Sequence, residues 1–206
     1  MITETVAPFD FDWIIKAIPL LLLIYFCQVS LTGNIRIFMV LALICSVTGD
    51  ILLSMDNLFV PGLAAFLLAQ IIYTVIFFKA FTFSRKGLYW CLMVIAYMFI
   101  AGTFILPKAG DFLIPVTAYM IAISLMSIAA GFRNDPHFMF VAIGAFIFMS
   151  SDTFIAINKF VTPFDGARYA IMITYYAAQL MICFGIVRHQ NLIIRQSKDQ
   201  GLVYTH

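Results

Sequence analysis

The sequence is short of charged residues. Lysine and arginine number 12 and aspartate and glutamate 10, so charged side chains make up 11% of the chain. A soluble domain carries about 25% charged residues, whereas the 64% of apolar residues found here would leave a water-facing surface almost uncharged. This shortage excludes a soluble enzyme, a disordered chain and a nucleic-acid-binding protein, whose basic face would need many more lysines and arginines.

Histidine and cysteine are also scarce. The cysteines lie inside apolar segments and form no CxxC motif, and the histidines lie at segment ends or near the C-terminus (Cys27, Cys45, Cys91, Cys183, His137, His189 and His206). This scatter indicates neither a zinc site nor a disulfide framework. The GxSxG motif of serine hydrolases is missing too. We therefore expect a protein without a metal ion or a cofactor.

Seven long apolar runs fill the chain. Each is close to the roughly 20 residues that a helix needs to cross a bilayer, and the runs are 13–31, 35–55, 60–80, 88–106, 111–131, 137–159 and 166–187. They are continuous rather than alternating, which excludes a membrane barrel. The connections are too short to hold a domain, so any chemistry takes place within the membrane or at its edge.

These runs predict an all-α fold, a polytopic transmembrane helical bundle with seven spans, eight being possible. We expect one transmembrane domain over residues 1–206, with a polar C-terminal tail at 188–206. The protein would be a multi-pass membrane protein, and we expect it in the inner membrane of a bacterial cell. The lipid bilayer is then its first partner, no nucleic acid is expected, and the sequence does not indicate an oligomeric state.

Two acidic residues, Asp50 and Asp152, lie well inside the predicted spans. A carboxylate within the bilayer costs about 2.5–3.5 kcal/mol and faces the protein interior or a wet cavity. Asp50 lies near the end of the second run and Asp152 near the end of the sixth, and these two spans cross the membrane in the same direction. We therefore expect the acids at matching depth in one shared cavity, with a functional role.

Polar side chains on the same and neighbouring spans are the candidates for binding a substrate. Ser46, Asp50, Ser54 and Asn57 have a spacing that predicts a polar stripe on one face of the second span. For a single serine, bonding between helices is the alternative role. The full set of candidates is Ser46, Ser54, Asn57, Gln70, Tyr73, Ser151, Asn158, Tyr175, Tyr176 and Gln179.

The segments that carry these residues resemble the YhhN family of lysoplasmalogenase-like membrane proteins. The similar blocks are TGDILL at 48–53, GLAAFLLAQIIY at 62–73, SDTFIA at 151–156 and YYAAQL at 175–180. The resemblance covers most of the chain, and it implies a hydrolase that cleaves the vinyl ether bond of lysoplasmalogens. The products would be a fatty aldehyde and glycerophosphoethanolamine or glycerophosphocholine, and the substrate a lysophospholipid.

The resemblance also implies that Asp50 and Asp152 are the catalytic pair. A vinyl ether is hydrolysed by protonation of its outer alkene carbon, followed by capture of the resulting oxocarbenium ion by water. Two carboxyl groups in different environments meet these needs, one as the proton donor and one as the ion, as in glycoside hydrolysis. The sequence leaves open which aspartate is the donor.

A different class of function can use the same buried acids. Acidic residues inside membranes also serve as proton relays in transporters. The alternative to the hydrolase is therefore a small proton-coupled transporter or a lipid-binding membrane protein. Release of aldehyde from a lysoplasmalogen distinguishes the enzyme from both.

Overall fold

The computed structural model describes residues 12–55 and 57–199. Seven α-helices, numbered α1 to α7 in chain order, make up most of this part of the chain. They are Asp12–Ser30, Gly33–Leu53, Phe59–Phe78, Arg85–Ile105, Leu113–Gly131, Phe138–Ala156 and Ala167–Asp199. The all-helical prediction is confirmed, and each helix corresponds to one of the seven apolar runs.

Six of these helices, α2 to α7, are long and apolar enough to cross a membrane. They indicate a multi-pass membrane protein, as predicted. Helix α1 contributes the shorter apolar segment Ala17–Ser30 to the same bundle, so its crossing of the bilayer remains a prediction.

The helix α2 ends earlier than the predicted polar stripe requires. Its last residue is Leu53, and Ser54 follows as its C-cap. Asn57 lies in the turn before α3, where it has a positive φ of 65°. Asparagine tolerates this left-handed conformation better than most residues because its short side chain bonds locally. The stripe is therefore interrupted, and Asn57 serves the turn.

The helix α7 continues beyond the point where the sequence turns polar. It extends to Asp199, so residues 188–199 of the predicted tail prolong the last helix. Residues 200–206 lie outside the described part of the chain. Polarity predicted that this segment leaves the membrane, and it gave no information about where the helix stops.

Two helix pairs, α2 with α3 and α6 with α7, form the most extensive contacts in the bundle, and α4 lies at its edge against α5. Glycines allow the close approach within each pair. A Cβ on Gly49 would lie 2.5 Å from the ring of Phe66, and a Cβ on Gly144 would lie 3.1 Å from the carbonyl oxygen of Ala178. The acids Asp50 and Asp152 are carried by these two tightly packed pairs.

The opposite end of the bundle from the acids is held by a buried ion pair. Arg133 contacts Asp135 at 2.8 Å through Nη2, and the two side chains are 2% and 0% exposed. The backbone of Arg133 also forms an antiparallel bridge with Phe81, which follows α3. Burial lowers the pKa of the Arg133 guanidinium, and the adjacent Asp135 carboxylate opposes that shift. The bridge, with a bond of 3.5 Å that Arg133 Nη1 donates to the Ile76 carbonyl, ties the α5–α6 connection to the end of α3.

Candidate functional site

Both buried acids line one cavity, which we call the polar cavity. Its volume is about 330 Å³, near the lower end of the range of small-molecule sites. It lies among α2, α3, α6 and α7 and the turn after α6. Its wall is formed by Asp50, Leu53, Ser54, Phe66, Asp152, Ile155, Asn158, Arg168, Ile171, Met172, Tyr175 and Tyr176.

Asp50 lies in the last turn of α2, where the helix is closed by its own cap. The Ser54 hydroxyl donates to the Asp50 backbone carbonyl at 2.8 Å, and the Asp50 side chain lines the polar cavity. The prediction that the two acids share a cavity is confirmed.

Asp152 is held by a tyrosine from a third helix. The Tyr119 hydroxyl, on α5, donates to Asp152 Oδ2. The same hydroxyl accepts a bond of 3.3 Å from Nε2 of Gln70, on α3. Gln70 and Tyr119 are buried, with exposures of 0% and 7%. Three helices therefore fix the orientation of one carboxyl group.

A second cavity, which we call the apolar cavity, meets the polar cavity at Asp152. It is narrow, with a volume of about 50 Å³, and is lined mainly by hydrocarbon side chains of α3, α4, α5 and α6. Leu53, Phe66, Asp152 and Ile155 belong to the walls of both cavities. Asp50 lines only the polar one. The two acids therefore differ in position, one at the junction and one on the polar side.

The polar cavity holds further groups that can bind a hydroxyl, a water or an anion. The Tyr175 hydroxyl is buried, and its residue lines this cavity beside Asp50. Asn158 accepts a bond of 3.3 Å from the backbone of Phe164 through its Oδ1, so its amide nitrogen can face a ligand. Arg168, exposed at the start of α7, supplies a positive charge at the cavity wall.

Three of the predicted substrate-binding residues instead form a network behind the cavity. The Tyr73 hydroxyl donates to Gln179 Oε1 at 2.6 Å, and Gln179 Nε2 donates to the Ser46 hydroxyl at 3.1 Å. The Ser46 hydroxyl in turn donates to the carbonyl of Ala42 at 3.0 Å. These groups satisfy one another and line neither cavity. They hold α2, α3 and α7 together.

Three other candidates also lie away from the cavity wall. The Ser151 hydroxyl donates to the carbonyl of Ile171 at 3.0 Å and joins α6 to α7. Gln70 reaches the site only through Tyr119, and Asn57 is exposed in its turn. The candidates that do line the polar cavity are Ser54, Asn158, Tyr175 and Tyr176.

Sequence reasoning missed Tyr119 and Arg168 as site residues. Tyr119 is one tyrosine in an apolar helix with no acid of its own, so its sequence neighbourhood carries no signal of the bond to Asp152. Arg168 lies at the start of the last span, where a basic residue is ordinary. Only its position opposite the acids marks it. Among residues 12–55 and 57–199, no three histidine, cysteine or acidic side chains come together as metal ligands.

The chain is similar in sequence to several known proteins. It is 31% identical over 180 residues to the Lysoplasmalogenase TMEM86B of Sus scrofa, covering 87% of this chain and 76% of that protein. It is 34% identical over 184 residues to the Lysoplasmalogenase TMEM86B of Homo sapiens, covering 86% and 76%. A Lysoplasmalogenase of Mycobacterium bovis is 32% identical over 162 residues, which cover 74% and 61% of the two chains.

No solved structure shows significant similarity to the chain. The sequence model of the YhhN family matches residues 11–186, which include α2 to α6, both acids and all the groups on the walls of the two cavities. The chain belongs to the YhhN family.

Proposed function

We propose that this protein hydrolyses the vinyl ether bond of lysoplasmalogens, releasing a fatty aldehyde and glycerophosphoethanolamine or glycerophosphocholine. The relatives named lysoplasmalogenase support this activity. The observation that carries the proposal is the position of Asp152, which lies where a polar and an apolar cavity meet, with Asp50 on the polar side. A lysoplasmalogen has the same division, since its vinyl ether lies between a hydrocarbon chain and a polar head.

The two cavities give the substrate one orientation. The alkenyl chain occupies the apolar cavity, because that wall offers almost only hydrocarbon. The glycerol and phosphate occupy the polar cavity, where Arg168 meets the phosphate and Asn158 and Tyr176 meet the free glycerol hydroxyl. The vinyl ether then lies beside Asp152 and Asp50.

This orientation assigns different roles to the two acids. The alkene carbon that must be protonated is the one bonded to the hydrocarbon chain, and Asp152 is the acid that reaches the apolar side. Asp152 donates its proton to that carbon, and the Tyr119 hydroxyl stabilises the carboxylate that forms. Asp50, on the polar side, faces the oxocarbenium carbon as an ion.

Water then completes the reaction. A water molecule in the polar cavity attacks the oxocarbenium carbon and gives a proton to Asp50, which forms a hemiacetal. Asp50 passes that proton to the departing glycerol oxygen, and the hemiacetal hydroxyl returns its proton to Asp152. Aldehyde and alcohol are released, and both acids regain their starting states. Positioned acid–base groups of this kind contribute about 10²–10⁴-fold to a rate.

The site lies within a multi-pass membrane bundle, so the substrate comes from the lipid phase. We place the protein in the inner membrane of a bacterial cell. A lysophospholipid has one chain and a large head, and it partitions into such a membrane.

The test is aldehyde release by purified protein from choline and ethanolamine lysoplasmalogens. Asp50→Asn and Asp152→Asn should each lower the rate by about 10²-fold or more, because each removes one proton-transfer step. Asp111→Asn is the matched control, since this acid is exposed in the turn before α5. The melting temperature of each variant shows that the fold persists.

Two results contradict the proposal. Full aldehyde release by a folded Asp50→Asn or Asp152→Asn variant would remove the two-acid mechanism. Cleavage of a saturated alkyl ether at the same rate would exclude protonation of an alkene, because that substrate has none. Binding of lysoplasmalogen without aldehyde release would favour a lipid-binding protein or a transporter.

A further inference from the structure

A third space, which we call the lipid groove, lies between α4 and α5 on the outside of the bundle. It is an open groove with a volume of about 520 Å³. Its wall includes Met98, Gly102 and Thr103 of α4 and Thr117 and Met120 of α5. Its rim is strongly exposed, with Phe99 at 73% and Ile121 at 57%, so the groove opens toward the hydrocarbon of the bilayer.

The groove presents an apolar surface although it contains two threonines. The Thr103 hydroxyl donates to the carbonyl of Ile100 at 2.7 Å, and the Thr117 hydroxyl donates to the carbonyl of Leu113 at 2.7 Å. Each bond stays on its own helix, so neither hydroxyl is left to bind a polar ligand or to join α4 to α5. A hydrocarbon chain is therefore the ligand that this wall accepts.

Two methionines separate the groove from the catalytic cavities. Met98 on α4 and Met120 on α5 line both the lipid groove and the apolar cavity. The apolar cavity continues to Asp152. Methionine is unbranched and turns about three bonds, so it can change conformation at little cost. The flexible side chains of Met98 and Met120 therefore lie between the lipid groove and the apolar cavity.

The helix α4 leaves free space next to Met120. Gly102 faces Met120, and a Cβ built on Gly102 would lie 3.6 Å from Met120 Cε, an ordinary contact. At Gly49, by contrast, the corresponding distance to the ring of Phe66 is 2.5 Å. The absence of a side chain at Gly102 keeps the groove deep next to Met120.

We propose that the lipid groove is the lateral portal of the enzyme, through which the alkenyl chain enters the apolar cavity and the fatty aldehyde leaves. This inference rests on the proposed function. Met98 and Met120 form the movable partition. The two products then separate by chemistry, since the uncharged aldehyde returns to the bilayer and the charged head leaves through the polar cavity.

The experiment narrows the portal and compares two chain lengths. Gly102→Leu fills the groove beside Met120, and Ala96→Leu adds the same side chain at an exposed position of α4 outside the groove. Aldehyde release is measured with a long-chain lysoplasmalogen in membranes and with a short-chain one, which reaches the acids from water through the polar cavity. Gly102→Leu should lower kcat/KM for the long chain by about tenfold or more. It should leave the short-chain rate near wild type, and Ala96→Leu should leave both rates near wild type.

A second variant protects the test against misfolding. Thr117→Leu narrows the groove from α5 and removes only a bond within its own helix, so it should show the same selective loss. Equal loss for both chains in folded variants, or no loss for either, overturns the portal. If the wild-type protein releases aldehyde from neither substrate, the proposed function fails and not the portal alone.

Discussion

The hydroxyl of Tyr119 is the most specific test of how Asp152 works. Tyr119→Phe removes one oxygen and keeps the ring between α5 and α6. The oxygen donates to Asp152 Oδ2 and accepts from Gln70 Nε2 at 3.3 Å. In the proposed reaction Asp152 becomes negatively charged when it gives up its proton. The hydrogen bond is therefore stronger in the transition state than in the ground state, and it acts on kcat.

The expected loss of rate follows from the type of hydrogen bond that is removed. A hydrogen bond to a charged group contributes about 1.5–3 kcal/mol, and each 1.4 kcal/mol changes a rate about tenfold. Tyr119→Phe should therefore lower kcat by about 10- to 150-fold, with KM changed little because Tyr119 touches the acid and not the polar head. Gln70→Leu should have a smaller effect, since the Gln70 side chain bonds the tyrosine and not the acid.

The assay is continuous aldehyde release coupled to an aldehyde dehydrogenase, with melting temperature recorded for each variant. Tyr97→Phe is the control, because Tyr97 packs against Phe146 with ring centroids 5.1 Å apart and lines neither catalytic cavity. In the Tyr119→Phe background, Gln70→Leu should add nothing further to the rate. A Tyr119→Phe enzyme within twofold of wild type, or one altered only in KM, would refute the assigned role.

Two further predictions concern stability. Asp135→Asn should lower the free energy of unfolding by about 3–5 kcal/mol, because it leaves the buried Arg133 charge uncompensated. The exposed Asp111→Asn is the control, and equal melting temperatures in detergent would contradict the prediction. Tyr73→Phe should cost about 1–3 kcal/mol by leaving Gln179 without its buried donor. The rate per folded molecule should stay unchanged, and a tenfold loss would show that Tyr73 reaches the substrate after all.

The helices could be predicted from the sequence because a single property decides them. A chain inside a bilayer must satisfy its backbone internally, so each long apolar run becomes a helix. The predicted run 60–80 and the helix Phe59–Phe78 differ by two residues at most. The end of α7 was not predictable in this way, since residues 188–199 are polar and still favour a helix. Hydropathy indicates which residues lie in the membrane, but it does not indicate where a helix ends.

The acids were also predictable, and their partners were not. Asp50 and Asp152 stand out because a buried carboxyl is costly and rare. A tyrosine or a glutamine inside a span has no such rarity, and its partner depends on how each helix is rotated about its axis. For this reason the sequence predicts that Tyr73 and Gln179 bind the substrate, whereas in the structure they bond each other. Tyr119, which does hold an acid, was missed.

The packing of the bundle explains how one small fold can both position acids and admit a lipid. The acids lie on α2 and α6, which belong to the two most closely packed helix pairs, and a catalytic group must be held by such a rigid frame. The portal lies against α4, at the edge of the bundle, which packs mainly on α5. Local opening costs least where few groups must separate. Movement of α4 can therefore admit a chain while the geometry of Asp50 and Asp152 stays fixed.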